Sequence, residues 1–231
     1  AAIARGAFEY QGQKCSATSR GYVPVSRWEE LKSELAYIMG EIKTGDPRDF
    51  GNFVNAVIDE ASFDNCMSYI KYAEEADNAE ILFGGSGDKS RGYFVQPTII
   101  KTSDPHFKSM EEEIFGPIFT LYVYEDEKYE ETLRICDGTS PYALTGAIFA
   151  GERKAIDSAE KILKYAAGNF YINDKTTAAS IGLQPFGGAR SSGTNDKAGS
   201  KLNLIRWTSP RTIKENLLPP HDFSYPYMMK E

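Results

Sequence analysis

The sequence is poor in the side chains that build most metal sites. It has two histidines, His106 and His221, far apart, and three cysteines, Cys15, Cys66 and Cys136. No C-x-x-C pair occurs, which argues against a zinc site, and no metal is expected. An odd, widely spaced set of cysteines does not make a disulfide framework. No histidine lies near Cys15, so a cysteine-protease or thiolase reading is poorly supported. Basic residues are outnumbered, 26 against 33 acidic, and the net charge of −7 argues against nucleic acid as a main partner. No uninterrupted apolar run approaches the ~20 residues a bilayer-spanning helix needs. No signal or transit peptide is legible at the start. Gly84-Gly85-Ser86-Gly87 lacks the G-x-G-x-x-G spacing of a phosphate loop and reads as a turn.

What is present can fill a core: 231 residues, 41% hydrophobic and 13% aromatic, enough for one large or two small domains. Residues 1–10 are helix-like, and 20–24 read as a strand. Ser26 with Glu29 three residues on reads as a capping box opening a helix, with Trp28, Leu31, Leu35 and Ile38 as its apolar stripe. A second amphipathic helix over 59–76 turns Phe63, Cys66, Met67, Ile70 and Ala73 inward, which makes Cys66 a core residue. Strands follow at 81–83, 93–101 with a break at Pro97, 118–124, 145–150 and 168–173. Helices fall at 128–136, with Cys136 inward, and at 154–167. This alternation predicts an α/β fold, a mostly parallel sheet with helices on both faces. Ligands in such sheets sit at the carboxyl ends of the strands. From Asn173 to Ser200 the periodicity stops in a polar, glycine-rich stretch, a length of loop that is usually functional. Residues 208–216 are extended and alternating, as an edge strand would be. The aromatic, proline-rich tail 219–231 is expected to pack on a surface. The chain opens at Ala1 inside a helix-like run, as the later part of a longer protein would.

The chemistry centres on Gln11-Gly12-Gln13-Lys14-Cys15-Ser16. A cysteine at a helix–loop–strand junction, with backbone N–H groups and a cation nearby, meets conditions that favour the nucleophilic thiolate. Lys14 is expected to face solvent, since adjacent side chains often point apart. Three stretches in order resemble the aldehyde dehydrogenase superfamily: Gly12-Gln13-Lys14-Cys15, Glu112-Glu113-Ile114-Phe115-Gly116-Pro117 and Pro185-Phe186-Gly187-Gly188. Within it, Phe8-Glu9-Tyr10, Gly168-Asn169-Phe170-Tyr171-Ile172-Asn173-Asp174-Lys175 and Phe186-Gly187-Gly188-Ala189-Arg190 resemble the Δ1-pyrroline-5-carboxylate dehydrogenase (L-glutamate γ-semialdehyde dehydrogenase) branch. The similarity runs through essentially the whole chain and corresponds to the catalytic-domain half of such an enzyme with its C-terminal strand.

The resemblance implies a division into a catalytic domain, 1–207, and a C-terminal oligomerisation strand and tail, 208–231. It implies NAD as cofactor and NAD-dependent oxidation of L-glutamate γ-semialdehyde to L-glutamate in proline catabolism. Cys15 would be the nucleophile, passing through a thiohemiacetal and a thioester. Glu113 would accept hydrogen bonds from the nicotinamide ribose hydroxyls, with Phe115 packing nearby. Ser16 and the loop 176–180, including Ala178 and Ala179, would hold the substrate's α-carboxylate by hydroxyl and backbone N–H groups. Phe186 would flank the substrate's aliphatic stem. The family usually carries Gly-Ser or a similar small pair where Ala178-Ala179 stand, which removes a hydroxyl and leaves the backbone donors. The family's general-base glutamate, its oxyanion-hole asparagine and its NAD-binding domain lie upstream of the cysteine and are absent from this sequence. The 231 residues alone are therefore expected not to turn over aldehyde. The implied partners are a small-molecule aldehyde, that missing domain and further copies of the chain joined through the C-terminal strand. The implied compartment is the mitochondrial matrix for a eukaryotic source, otherwise the cytoplasm. Alternatives are a dehydrogenase for another small carboxylated aldehyde, which Ala178-Ala179 keeps open, and a non-catalytic oligomerisation module.

Overall fold

The computed structural model describes residues 1–180 and 182–229. Helix α1 (Ala2–Phe8) runs into a 3-10 turn (Glu9–Gly12), then β1 (Arg20–Pro24), α2 (Val25–Glu41), α3 (Glu60–Glu74) and β2 (Ala79–Phe83). The short β3 (Gly87–Asp88) and β4 (Phe94–Val95) precede β5 (Thr98–Thr102), α4 (Lys108–Glu111), β6 (Ile118–Tyr124) and α5 (Tyr129–Gly138). The rest is β7 (Tyr142–Ala143), β8 (Thr145–Ile148), α6 (Arg153–Ile162), β9 (Asn169–Ile172), β10 (Ala189–Arg190) and α7 (Lys201–Ile205).

The central sheet has the order β1-β6-β5-β2. β1 and β5 both run parallel to β6, with Arg20 opposite Thr120 and Thr98 opposite Ile118. β2 closes one edge antiparallel to β5, with a register shift between Ile81 and Phe83. β8 and β9 form a separate parallel pair, and β7 pairs antiparallel with β10.

The central strands are apolar on both sides because both sides are covered. In β5 and β6, neighbouring residues go to opposite cores, as the two-residue period of a strand demands. Ile100 and Ile118 pack with Phe63, Cys66 and Ile70 of α3. Ile99, Phe119 and Leu121 pack with Ala7 and Phe8 of α1 and with Trp28 and Leu35 of α2. Each such side chain removed from water contributes roughly 1.5–3 kcal/mol as an upper figure. A third cluster, Leu133, Ala159 and Leu163, seats α5 and α6 with Ile148 and Phe170 of the β8–β9 pair. The expected α/β architecture with a parallel-dominated sheet is what the chain adopts.

Three details differ from expectation. Helix α2 begins at Val25 behind Pro24, so Ser26 lies inside the first turn rather than capping it. Its hydroxyl donates to Asp126 Oδ1 at 2.9 Å instead. Side-chain caps form instead at Asp59, which accepts the Ser62 N–H at 2.8 Å ahead of α3, and at Ser200, which accepts the Leu202 N–H at 3.3 Å ahead of α7. Residues 208–216 carry no ladder to any described residue and are exposed throughout. The tail does not pack down on this chain: Phe223 is 88% exposed, and Tyr225 stacks on Tyr227 with ring centroids 5.8 Å apart. Its last two positions, 230 and 231, lie outside the described residues. No described helix is long and apolar enough to cross a membrane.

Candidate active site

The apolar face of α1 is buried through Ala4, Ala7 and Phe8, and the chain then has to leave the sheet abruptly. It does so through three successive left-handed residues, Tyr10 (φ 53), Gln11 (φ 59) and Gly12 (φ 65). Two carry side chains, which costs on the order of 1 kcal/mol each and needs compensation. The Gln11 amide supplies it, donating to Ala56 O at 3.2 Å and accepting the Asn55 N–H at 3.1 Å. Gln13 Oε1 accepts the Ile58 N–H at 2.9 Å. The two glutamines of the motif thus fasten the turn to the segment 55–58. Gly12 is required on steric grounds as well, since a Cβ there would lie 2.3 Å from the carbonyl oxygen of Gly116. Gly116 in turn lies over Cys66, whose sulfur would be 2.2 Å from a Cβ at that position. The cysteine motif is therefore pressed directly onto the Ile114-Phe115-Gly116-Pro117 motif.

Cys15 emerges in the following turn, closed by the Ala17 N–H on Lys14 O at 3.0 Å, and its side chain is exposed. Cys66 is fully buried and burial pushes its thiol up to about 11. Cys136 is partly covered and its thiol is raised by burial too. One sulfur of the three is presented to solvent.

The loop after β9 is stitched to this turn. Thr176 Oγ1 donates to Ser16 O at 2.7 Å and lies 2.9 Å from Thr18 Oγ1. Glu9 Oε1 accepts from Lys14 Nζ at 2.8 Å, Thr177 Oγ1 at 2.8 Å and Lys175 Nζ at 3.1 Å. Burial would raise the Glu9 carboxyl, but these hydrogen bonds and the Lys14 charge outweigh it and hold the group at about 2. Lys14, expected to face solvent, is instead folded back on Glu9, with its ammonium 4.5 Å from the Tyr10 ring centroid. The carboxylate is the stronger attraction.

Ala178 and Ala179 sit at the tip of that loop. The Ala178 N–H is taken by Lys175 O at 3.2 Å, and the Ser180 N–H by Gln184 Oε1 at 2.9 Å. Phe186 is half-buried and held from both sides by Asn169 at the start of β9. The Asn169 amide donates to Pro185 O at 3.1 Å and accepts the Gly187 N–H at 3.1 Å. Lys197 Nζ bonds the carbonyls of Gly168 (2.5 Å) and Gly187 (3.3 Å), fixing the same corner. Glu113 is exposed beside an open hollow of about 490 Å³ lined also by Tyr69, Glu111, Glu112 and residues 138–142. Tyr69 OH donates to Glu112, whereas the Glu113 carboxylate has no hydrogen bond or ion pair among the described residues. Phe115 is held at φ 59 and is 44% exposed.

Cys15, Ser16, Ala178, Glu113 and Phe115 are thus connected through side-chain stitches or the Gly12–Gly116 contact, and Phe186 through β9. Glu9, Lys175, Thr177, Thr176 and Asn169 form the connections; Thr176 and Thr177, expected to offer hydroxyls to the substrate, donate them to Ser16 O and Glu9 Oε1 instead. The available signal was Glu9 itself, a carboxylate just past a helix whose one other charge is Arg5.

The sequence pattern described as the aldehyde dehydrogenase family matches residues 1–213. The chain is 63% identical over 225 residues to a mitochondrial Delta-1-pyrroline-5-carboxylate dehydrogenase of Dictyostelium discoideum, covering 97% of this chain and 40% of that protein. The solved Delta-pyrroline-5-carboxylate dehydrogenase from Mycobacterium tuberculosis superimposes with a TM-score of 0.86 at 48% identity, over 100% of this chain and 42% of that one. A structure of the same bacterial enzyme bound with NAD gives 0.85 at 48% identity, over 99% and 41% of the two chains. The sequence spans about 40% of the curated relatives it matches. On the family pattern, the shared fold and the motifs that the fold brings together, the chain belongs to the aldehyde dehydrogenase family.

Proposed function

We propose that this chain is the catalytic-domain part of an NAD-dependent dehydrogenase that oxidises L-glutamate γ-semialdehyde to L-glutamate. The observation that carries the reading is the exposed Cys15, in a turn tied to the 176–177 loop and backed by Gly12 on Gly116. The names of the relatives support the substrate, and the NAD-bound bacterial structure supports the cofactor. Residues 1–207 form the catalytic domain, and the dinucleotide-binding domain is supplied from outside 1–231.

Cys15 Sγ, as the thiolate, attacks the aldehyde carbon. A C–S bond forms and the carbonyl electron pair moves onto oxygen, where the Cys15 N–H stabilises it. The C–H bond of that carbon then breaks as the oxygen's electron pair re-forms the C=O, leaving a thioester on Cys15; bound NAD would supply the two-electron acceptor for the departing hydride. Water then cleaves the thioester, releasing glutamate and the thiolate. Ser16 and the 176–180 loop grip the substrate's carboxylate end, and Phe186 walls its methylenes. Glu113 and Phe115 fit a nicotinamide ribose: the carboxylate is exposed and uncommitted beside a hollow, so it can accept two hydroxyl donors.

Another carboxylated aldehyde is the second reading, on the Ala178-Ala179 pair: it offers no hydroxyl, and the N–H groups of Ala178 and Ser180 are spent inside the chain, so the carboxylate falls to Ser16 and the other N–H groups of the loop. Residues 208–216, exposed and unladdered, suit pairing with the sheet edge of another copy. The relative's name supports a mitochondrial location. The test is NAD reduction by the whole protein carrying this segment, with glutamate γ-semialdehyde and with other carboxylated aldehydes. Cys15→Ala should abolish it, and retained turnover in that variant would remove the basis of the reading.

A further inference from the structure

We infer that Glu9 is a positioning residue that sets the distance between the nucleophile's turn and the loop gripping the substrate's carboxylate. The inference rests on the reaction proposed above and adds a residue to it.

The two segments lie far apart in sequence and meet on one oxygen atom. Glu9 Oε1 receives Lys14 Nζ, next to Cys15, and both Lys175 Nζ and Thr177 Oγ1, from the loop after β9. Lys175 Nζ also reaches Thr177 Oγ1 at 2.8 Å and Thr177 O at 3.3 Å, so the loop end is internally braced. The side chains of Lys14, Glu9 and Lys175 are 30, 19 and 24% exposed, so water screens this cluster less than it screens a surface pair. Two ammonium groups near one oxygen repel each other, and the Glu9 charge is what allows both to stay. Without it the loop end loses its anchor to α1. Thr176 still donates to Ser16 O at 2.7 Å, so the loop stays attached but less closely placed. A substrate held at both ends feels that displacement, and an aldehyde with no carboxylate does not.

The experiment compares the whole enzyme with its Glu9→Gln variant on glutamate γ-semialdehyde and on pentanal, an uncharged aldehyde of equal carbon count. Glu9→Gln should lower kcat/KM for the carboxylated substrate by about 10- to 100-fold, chiefly through KM, and that for pentanal by less than about threefold. A parallel fall on both substrates, or no fall on either, overturns the inference. If the unaltered enzyme oxidises neither aldehyde, the proposed reaction is what fails. Amide hydrogen exchange then judges Glu9 separately: faster exchange in 14–18 and 175–180 together supports it, and unchanged exchange in either segment overturns it.

Discussion

The contact of Gly116 with Cys66, which backs the Gly12 turn, can be tested by a thermodynamic cycle. A methyl added at Gly116 would sit 2.2 Å from Cys66 Sγ, while its next neighbours, Cys66 Cβ and Ile114 Cγ2, are at an ordinary 3.8 Å. The conflict is therefore with one sulfur atom. Gly116 is not among the left-handed glycines, so alanine suits its backbone. Gly116→Ala should then cost the overpacking of a tight core, about 1–3 kcal/mol. Cys66 is fully buried, so Cys66→Ala should cost about 1 kcal/mol for the lost apolar volume. In the double variant the sulfur is gone and the new methyl fills part of its space. The pair should be no less stable than Cys66→Ala alone, a coupling of about 1–3 kcal/mol in the relieving sense. Urea midpoints of the cooperative transition containing this domain, at unchanged slope, give the four corners of the cycle. Additivity within about 0.5 kcal/mol would refute the packing of Gly116 against Cys66.

Thiol accessibility gives a second check. Mass-spectrometric mapping of maleimide labelling at neutral pH should find Cys15 modified at least ~100-fold faster than Cys66 or Cys136, and all three equal after unfolding. Comparable rates for Cys15 and Cys66 in the native protein would contradict the structure. A third concerns acid. Glu9 is depressed from 4.5 to about 2 in the folded protein, so its stabilisation is complete above its unfolded value and lost as pH falls from about 4.5 to about 2. Glu9→Gln should be less stable than the parent near neutrality by roughly 1 kcal/mol after screening, and the gap should close across that window. Urea midpoints as a function of pH report it, and a constant gap would mean that the charge is not what holds the cluster.

The strands were legible because their chemistry is local. The run from Ile118 to Tyr124 is apolar on both faces, and Pro97 breaks the ladder where it cannot donate. Cys66 was placed in the core by the helical period alone. The capping box failed because its pattern presumes that serine stands before the helix, whereas α2 starts one residue earlier at Val25. Tyr10 and Gln11 could not have been read as left-handed. An L-residue with positive φ is imposed by tertiary bonds, here those of Gln11 to Asn55 and Ala56. The motifs located Cys15 and Glu113 as separate points, and what joins them to the loop 176–180 is spread along the chain. Glu9 and Thr177, far apart in sequence, meet where the loop that follows β9 comes to the end of α1. Such a contact has no local spacing to betray it. A carboxylate left at the close of a mostly apolar helix, and a lysine and threonine just beyond a strand end, are nonetheless charges and donors that need partners. Pairing such unclaimed groups across the sheet is the step by which a sequence reading could have reached this hub.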